Sequence, residues 1–230
     1  MQIHGLNKTT LLDYPGLVAS TVFTGACNFR CPFCQNGDLV LNPAAVPTIS
    51  VEEVLAHVDK RKGIIQGMCI TGGEPTLQKD LKDFIKELKK RDIKVKLDSN
   101  GYCPGVLGDL IREGLIDYVA MDIKSSPLGY SAAAGVYIDM KPIRESIDII
   151  MTSKIDYEFR TTVVRELHNM QTFLEIGELI KGAKQYFLQG YVDSERVIRP
   201  GFSAYTQAEL EIFKKELEKN INFVSIRGVS

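Results

Sequence analysis

"VASTVFTGACNFRCPFCQN", residues 18–36, runs from a β-branched and aromatic segment straight into three cysteines, Cys27, Cys31 and Cys34, spaced C-x3-C-x2-C. Val18–Thr24 reads as a strand, because such side chains suit the pleated, buried face of a sheet. The cysteine loop therefore hangs from the C-terminal end of a strand. Further strand patterns follow at Met68–Thr71, Lys94–Asp98, Tyr118–Met121, Glu158–Val164 and Gln185–Gln189, with a last edge run at Phe223–Ile226. Amphipathic helical segments lie between them. That alternation predicts an α/β fold of parallel strands joined by right-handed crossovers. Six units are fewer than the eight that close a full barrel, so pattern alone leaves a partial barrel and a flat doubly wound sheet open. In either, chemistry belongs to the loops at the C-terminal strand ends.

The helices have readable starts. Ser50–Glu53, Thr172–Glu175 and Thr206–Glu209 each fit a capping box, in which hydroxyl and carboxylate satisfy orphan helix amides. Leu77, Leu81, Phe84, Ile85 and Leu88 share one helical face, and Lys89, Lys90 and Arg91 suit that helix's negative end.

Composition bounds the function classes. Apolar residues make up 44% and charged residues 25% of 230, with no shift that marks a linker, so residues 1–230 are expected to form one domain. A net charge of -1 supplies no general attraction to nucleic acid or an anionic membrane. The N-terminus is too polar for a secretory signal, and no apolar run reaches the roughly 18 residues a membrane span needs. A cytoplasmic location follows as the expectation. Thiols stay reduced there, and crowded cysteines point to metal before disulfide.

What can three thiolates hold? A structural zinc site takes four ligands, yet His4, His57 and His168 are scattered, and Cys69 and Cys103 are single residues that read as packed small side chains. A redox pair of Cys31 and Cys34 leaves Cys27 idle. Three cysteines suit a cubane iron–sulfur cluster with one iron left open, and an open coordination position marks a site that does chemistry. "ITGGEP", Ile70 to Pro75, follows the second strand, where two glycines admit a ligand close to the backbone. Asp98, Ser99 and Asn100 end the third strand, and Asp122 and Lys124 end the fourth. Taken singly, these read as helix caps and turns.

Together, the C-x3-C-x-aromatic-C loop, with Phe33 before its last cysteine, and the GGEP turn resemble the signature of the radical S-adenosylmethionine (SAM) superfamily. The resemblance covers essentially the whole chain and implies a partial (β/α)6 TIM-like barrel. It implies that Cys27, Cys31 and Cys34 hold a catalytic [4Fe-4S] cluster, whose open iron takes the amino and carboxylate groups of SAM. Phe33 is then expected beside the cluster, and Gly72, Gly73 and Glu74 at the SAM amino group. The "DSNG" and "DIK" segments are similar to those of glycyl-radical-enzyme activating enzymes. On that basis Asp98, Ser99, Asn100, Asp122 and Lys124 are expected around SAM, with Asp98 and Asp122 holding a monovalent cation and Lys124 reaching the SAM carboxylate. Arg160 reads either as an inward charge near SAM or as half of a structural ion pair. Gln189 resembles a residue near the adenosyl group, and Tyr191 stands where some relatives have His. The stretch from Leu11 to Asn36 is most similar to anaerobic ribonucleoside-triphosphate reductase activating proteins, and less so to pyruvate formate-lyase activating enzymes. Gln35 departs from the His often found there. The implied partners are a glycyl radical enzyme and an electron donor such as flavodoxin, with no membrane or nucleic acid. A radical enzyme of small molecules or tRNA bases, and a non-catalytic iron–sulfur or zinc scaffold, are the alternatives.

Overall fold

The computed structural model describes residues 1–228, so the last two residues of the expected domain lie outside it. Eight strands form one sheet in chain order: β1 (Ile3–Thr10), β2 (Ala19–Thr24), β3 (Gly67–Gly72), β4 (Lys94–Ser99), β5 (Tyr118–Asp122), β6 (Asp156–Val163), β7 (Tyr186–Gly190) and β8 (Val224–Arg227). β1 pairs antiparallel with β2, and every later neighbouring pair is parallel. β1 and β8 end the sheet without pairing to each other among the described residues, so the barrel stays open. The helices are α1 (Gly37–Leu41), α2 (Val51–Lys60), α3 (Leu81–Lys89), α4 (Pro104–Arg112), α5 (Tyr130–Ala134), α6 (Met140–Thr152), α7 (Met170–Leu179) and α8 (Gln207–Leu217). None is long and apolar enough to cross a membrane among the described residues.

Strand parity divides the chemistry. Val22, Met68, Ile70, Val95, Leu97, Val119, Met121 and Phe159 share one buried core with Val54, Ile85, Leu107, Ile143 and Phe173 of the helices. The opposite parity of the same strands faces a polar interior: Thr21, Cys69, Lys96, Asp98, Glu158 and Arg160 line a cavity. Burial of the apolar face stabilises the wall, and the inward face is left free to be polar.

Each expected strand is present, with ends displaced by at most two residues. β8 makes the parallel set seven strands, and β1 was not expected at all. Its sequence, IHGLNKTT, is half-exposed along most of its length and its pairing is interrupted by irregularities, so it carries no alternation to read. Leu77 does not join α3: it sits in a 3-10 turn, Pro75–Leu77, that precedes the helix. The capping box at α7 is built by Asn169 and Thr172, not Thr172 and Glu175. Thr206 and Glu209 form the complete box expected at α8, whereas Ser50 caps α2 through its hydroxyl.

Candidate active site

The cluster loop, the GGEP turn and the ends of β4 through β7 meet over one cavity of about 300 Å³. Cys27, Cys31, Cys34, Phe33, Gly72, Gly73, Glu74, Asp98, Ser99, Asn100, Asp122, Lys124, Arg160 and Gln189 all line it. Register explains the convergence, since Phe23 pairs with Thr71, Asp122 with Arg160 and Thr162 with Gln189 across adjacent strands.

The loop's shape is fixed by backbone approach. Ala26 adopts a left-handed conformation. Its carbonyl accepts from the Glu74 amide at 2.8 Å, and the Thr24 carbonyl accepts from the Gly73 amide at 2.8 Å. A Cβ on Gly73 would lie 1.9 Å from the Ala26 oxygen, and one on Gly72, at φ +116°, 2.3 Å from the Thr24 nitrogen. The two glycines are therefore required by the cluster loop itself, which packs against them. Asn36 donates to the Gly72 carbonyl (2.9 Å) and Asn100 donates to the Asn28 side chain (2.7 Å), tying the loop to β3 and β4. Arg30 donates to the carbonyls of Cys27 and Phe29 from within the loop.

All five cysteines are free thiols. Burial pushes Cys27 up to about 11, against a backbone donor at Phe29, and Cys31 up to about 12, against the Lys124 ammonium. Such thiols keep their protons until a metal displaces them. No three His, Cys, Asp or Glu side chains are placed to hold a single metal ion among the described residues, so a mononuclear zinc site has no ligand set there. Three thiols on one loop, facing one cavity beside a buried ammonium, fit a group that spreads its ligands over several irons and carries negative charge.

Glu74 is buried, and its carboxylate accepts from the Thr76 amide and hydroxyl, the Ser99 hydroxyl and the Asn100 amide. Burial raises its pKa, and those donors oppose the rise. Glu74 thus joins the GGEP turn to the end of β4. Arg160 points inward, lining the cavity, and forms ion pairs with both Asp98 and Asp122. Asp122 also accepts from Lys124 (2.8 Å), and Asp98 from Lys96. All four carboxylate oxygens expected to hold a monovalent cation are thus taken by donors of this chain.

Other residues fall outside the expectations. Tyr191 turns away from the cavity to donate to Asp193 (2.6 Å) and pack edge-on against Phe202. Gln35 donates to the Val192 carbonyl (3.0 Å), pinning the loop after β7 to the cluster loop. His168, which had no partner in sequence, is buried beneath Phe33. Its Nδ1 accepts from the Val164 amide (3.0 Å), which leaves Nε2–H to donate to the Lys124 carbonyl (2.8 Å). Lys96 also escaped sequence reading, because an isolated Lys in a strand pattern reads as a solvent-facing position. Cys69 faces the interior beside Lys96 and Asp98, and Cys103 stands at the N-terminal boundary of α4, so neither joins the three loop cysteines.

Open barrel, cysteine loop and GGEP turn define an enzyme class, and the comparisons agree. The family model described as Radical SAM superfamily matches residues 21–180, and the chain belongs to that superfamily. Its members bind a [4Fe-4S] cluster and SAM. A Methanocaldococcus jannaschii protein described as a candidate glycyl-radical enzyme activating enzyme is 30% identical over 194 residues, 82% of this chain and 79% of its own length. A Sulfolobus acidocaldarius protein assigned as a GTP 3',8-cyclase is 32% identical over 127 residues, 52% of this chain but 38% of that one. Among solved structures, Streptococcus suis SuiB bound to S-adenosylmethionine superposes with a TM-score of 0.69 at 14% identity, over 89% of this chain and 49% of that one. At that identity the likeness shows the fold alone.

Proposed function

We propose that this radical SAM enzyme is an activator that generates a glycyl radical on a partner protein, an anaerobic ribonucleotide reductase-like enzyme. The observation that carries the reading is the M. jannaschii relative, aligned over most of both chains, whereas the cyclase match is confined to about half of this one. Cys27, Cys31 and Cys34 hold the cluster in this reading, and Lys124 and Glu74 frame the SAM amino-acid moiety. Bound there, cluster and SAM supply a 5'-deoxyadenosyl radical once one electron, from a donor such as flavodoxin, cleaves the sulfonium. Methionine would be the other product of that cleavage, and a glycine Cα of the partner would give up the hydrogen atom that completes 5'-deoxyadenosine, becoming the glycyl radical. The sheet's open side, between β1 and β8, suits entry of a polypeptide loop.

The test is electron paramagnetic resonance on the reconstituted, reduced protein mixed with SAM and individual glycyl radical enzymes. A doublet is expected with the reductase-like partner and not with a Cys31→Ala protein. A protein that forms 5'-deoxyadenosine with GTP and gives no doublet with any partner belongs with the small-molecule enzymes instead.

A further inference from the structure

Five charged side chains form an unbroken line from the barrel interior to the cysteine loop. Lys96 of β4 donates to Asp98 Oδ1, and Arg160 Nη2 of β6 donates to Asp98 Oδ2 at 3.0 Å. Arg160 Nε donates to Asp122 Oδ1, and Lys124 Nζ donates to Asp122 Oδ2 at 2.8 Å. Three cations and two carboxylates leave one net positive charge, the same that a bound monovalent ion would contribute.

The line competes with such an ion for the same two carboxylates. A hard cation is held by several oxygen lone pairs, and an ammonium in contact with the same carboxylate repels it. Each oxygen of Asp98 and Asp122 already accepts from a cationic N–H. The Lys96 side chain is 3% exposed and is held between Asp98 and Cys69. The Tyr118 ring, 6.0 Å from Nζ, closes its other side.

We propose that Lys96 and Arg160 are this chain's built-in cations: they take the charge role of a monovalent ion beside SAM, and SAM binding here needs neither potassium nor sodium. Lys96 is a positioning residue. It occupies Asp98, which orients Arg160, which orients Asp122 and through it Lys124. The inference rests on SAM binding, a property of the superfamily, and not on the identity of the activated partner.

Calorimetric titration of SAM into reconstituted, unreduced protein tests it, in choline chloride against potassium chloride at equal ionic strength. Wild-type affinity is expected to agree within about twofold between the two salts, below the roughly 1.4 kcal/mol that a tenfold change represents. Lys96→Met frees Asp98 Oδ1 and is expected to bind SAM about tenfold more weakly in choline, recovering in potassium. Lys96→Arg keeps a cation and is expected to stay indifferent to the salt. Potassium tightening wild-type binding more than twofold overturns the proposal, as does a Lys96→Met protein with no larger salt response than wild type. Should Lys96→Met not fold, thallium-205 NMR on wild type with SAM decides: no bound ion is expected, and a bound signal displaced by potassium overturns the assignment.

Discussion

Gly73 has no space for a single added carbon. A Cβ there would sit 1.9 Å from a backbone oxygen, which unlike a side-chain tip cannot rotate aside. Gly73→Ala should push the GGEP turn off the cluster loop, breaking the Glu74 to Ala26 hydrogen bond and costing about 1–3 kcal/mol, the usual range for forced overpacking. Urea unfolding of the metal-free protein measures this, with Gly105→Ala as control. Gly105 lies in α4 with nothing near its missing Cβ, so that change should be neutral or slightly stabilising. Equal effects from both would show that the close approach is not what Gly73 is for. The same residues mark how far the sequence could be read. GGEP was legible as a site, but its glycines serve the cysteine loop, which no local pattern can reveal. Lys94 and Lys96 share parity on β4, yet one is exposed and the other buried against Asp98. Only the fold makes that difference, by curling the sheet so that Arg160 of β6 reaches past β5 to Asp98 and closes the interior around it.

The segment between β6 and α7 carries the element-scale constraint. His168 accepts from Val164 at the end of β6 and donates to the Lys124 carbonyl beyond β5, while its ring supports Phe33 and Phe173. Burial lowers its pKa below the ordinary 6.5, although the bond to the Lys124 carbonyl opposes the fall. The unfolded chain therefore binds a proton that the folded one refuses. Stability is full above about pH 6.5 and falls as pH drops through that value towards the folded pKa, by up to about 1.4 kcal/mol per unit. Urea unfolding at pH 7.5 and 5.5 should show this loss, and His168→Gln should flatten it. An unchanged slope in the variant would assign the acid sensitivity elsewhere. At this scale the parallel strands were legible because β-branched, aromatic and other apolar residues recur on the face that packs under the helices. β1 was not, being half-exposed, and the α7 cap was misplaced because Asn169 and Thr172 make a box without a carboxylate.

An open barrel has two free edges, and the β8 edge is held by one pairing partner, β7. Arg227 adds a second attachment that reaches past β7. Its guanidinium lies over the Phe187 ring and donates both Nη groups to Glu158 of β6, at 2.9 and 3.0 Å. Glu158 is 1% exposed and Arg227 39%, so the pair straddles the boundary between interior and solvent. Without Arg227 the buried carboxylate keeps, among the described residues, only the Tyr118 hydroxyl, at 3.0 Å. Stranding a buried charge is costly, but water can reach the space the arginine leaves, which discounts the penalty for a fully buried pair. Arg227→Ala should therefore cost about 2 kcal/mol, in the range for a hydrogen bond to a charged group. The loss should be local first, because only β8 is released. Hydrogen exchange should accelerate at Val224–Arg227 well before β3, β4 and β5, whose strands have partners on both sides. The double variant with Glu158→Gln should recover part of the stability, since an amide needs no counter-charge. Uniform acceleration across the sheet would instead make the Glu158–Arg227 pair part of the global core, and no acceleration would leave the β7 pairing sufficient to close that edge.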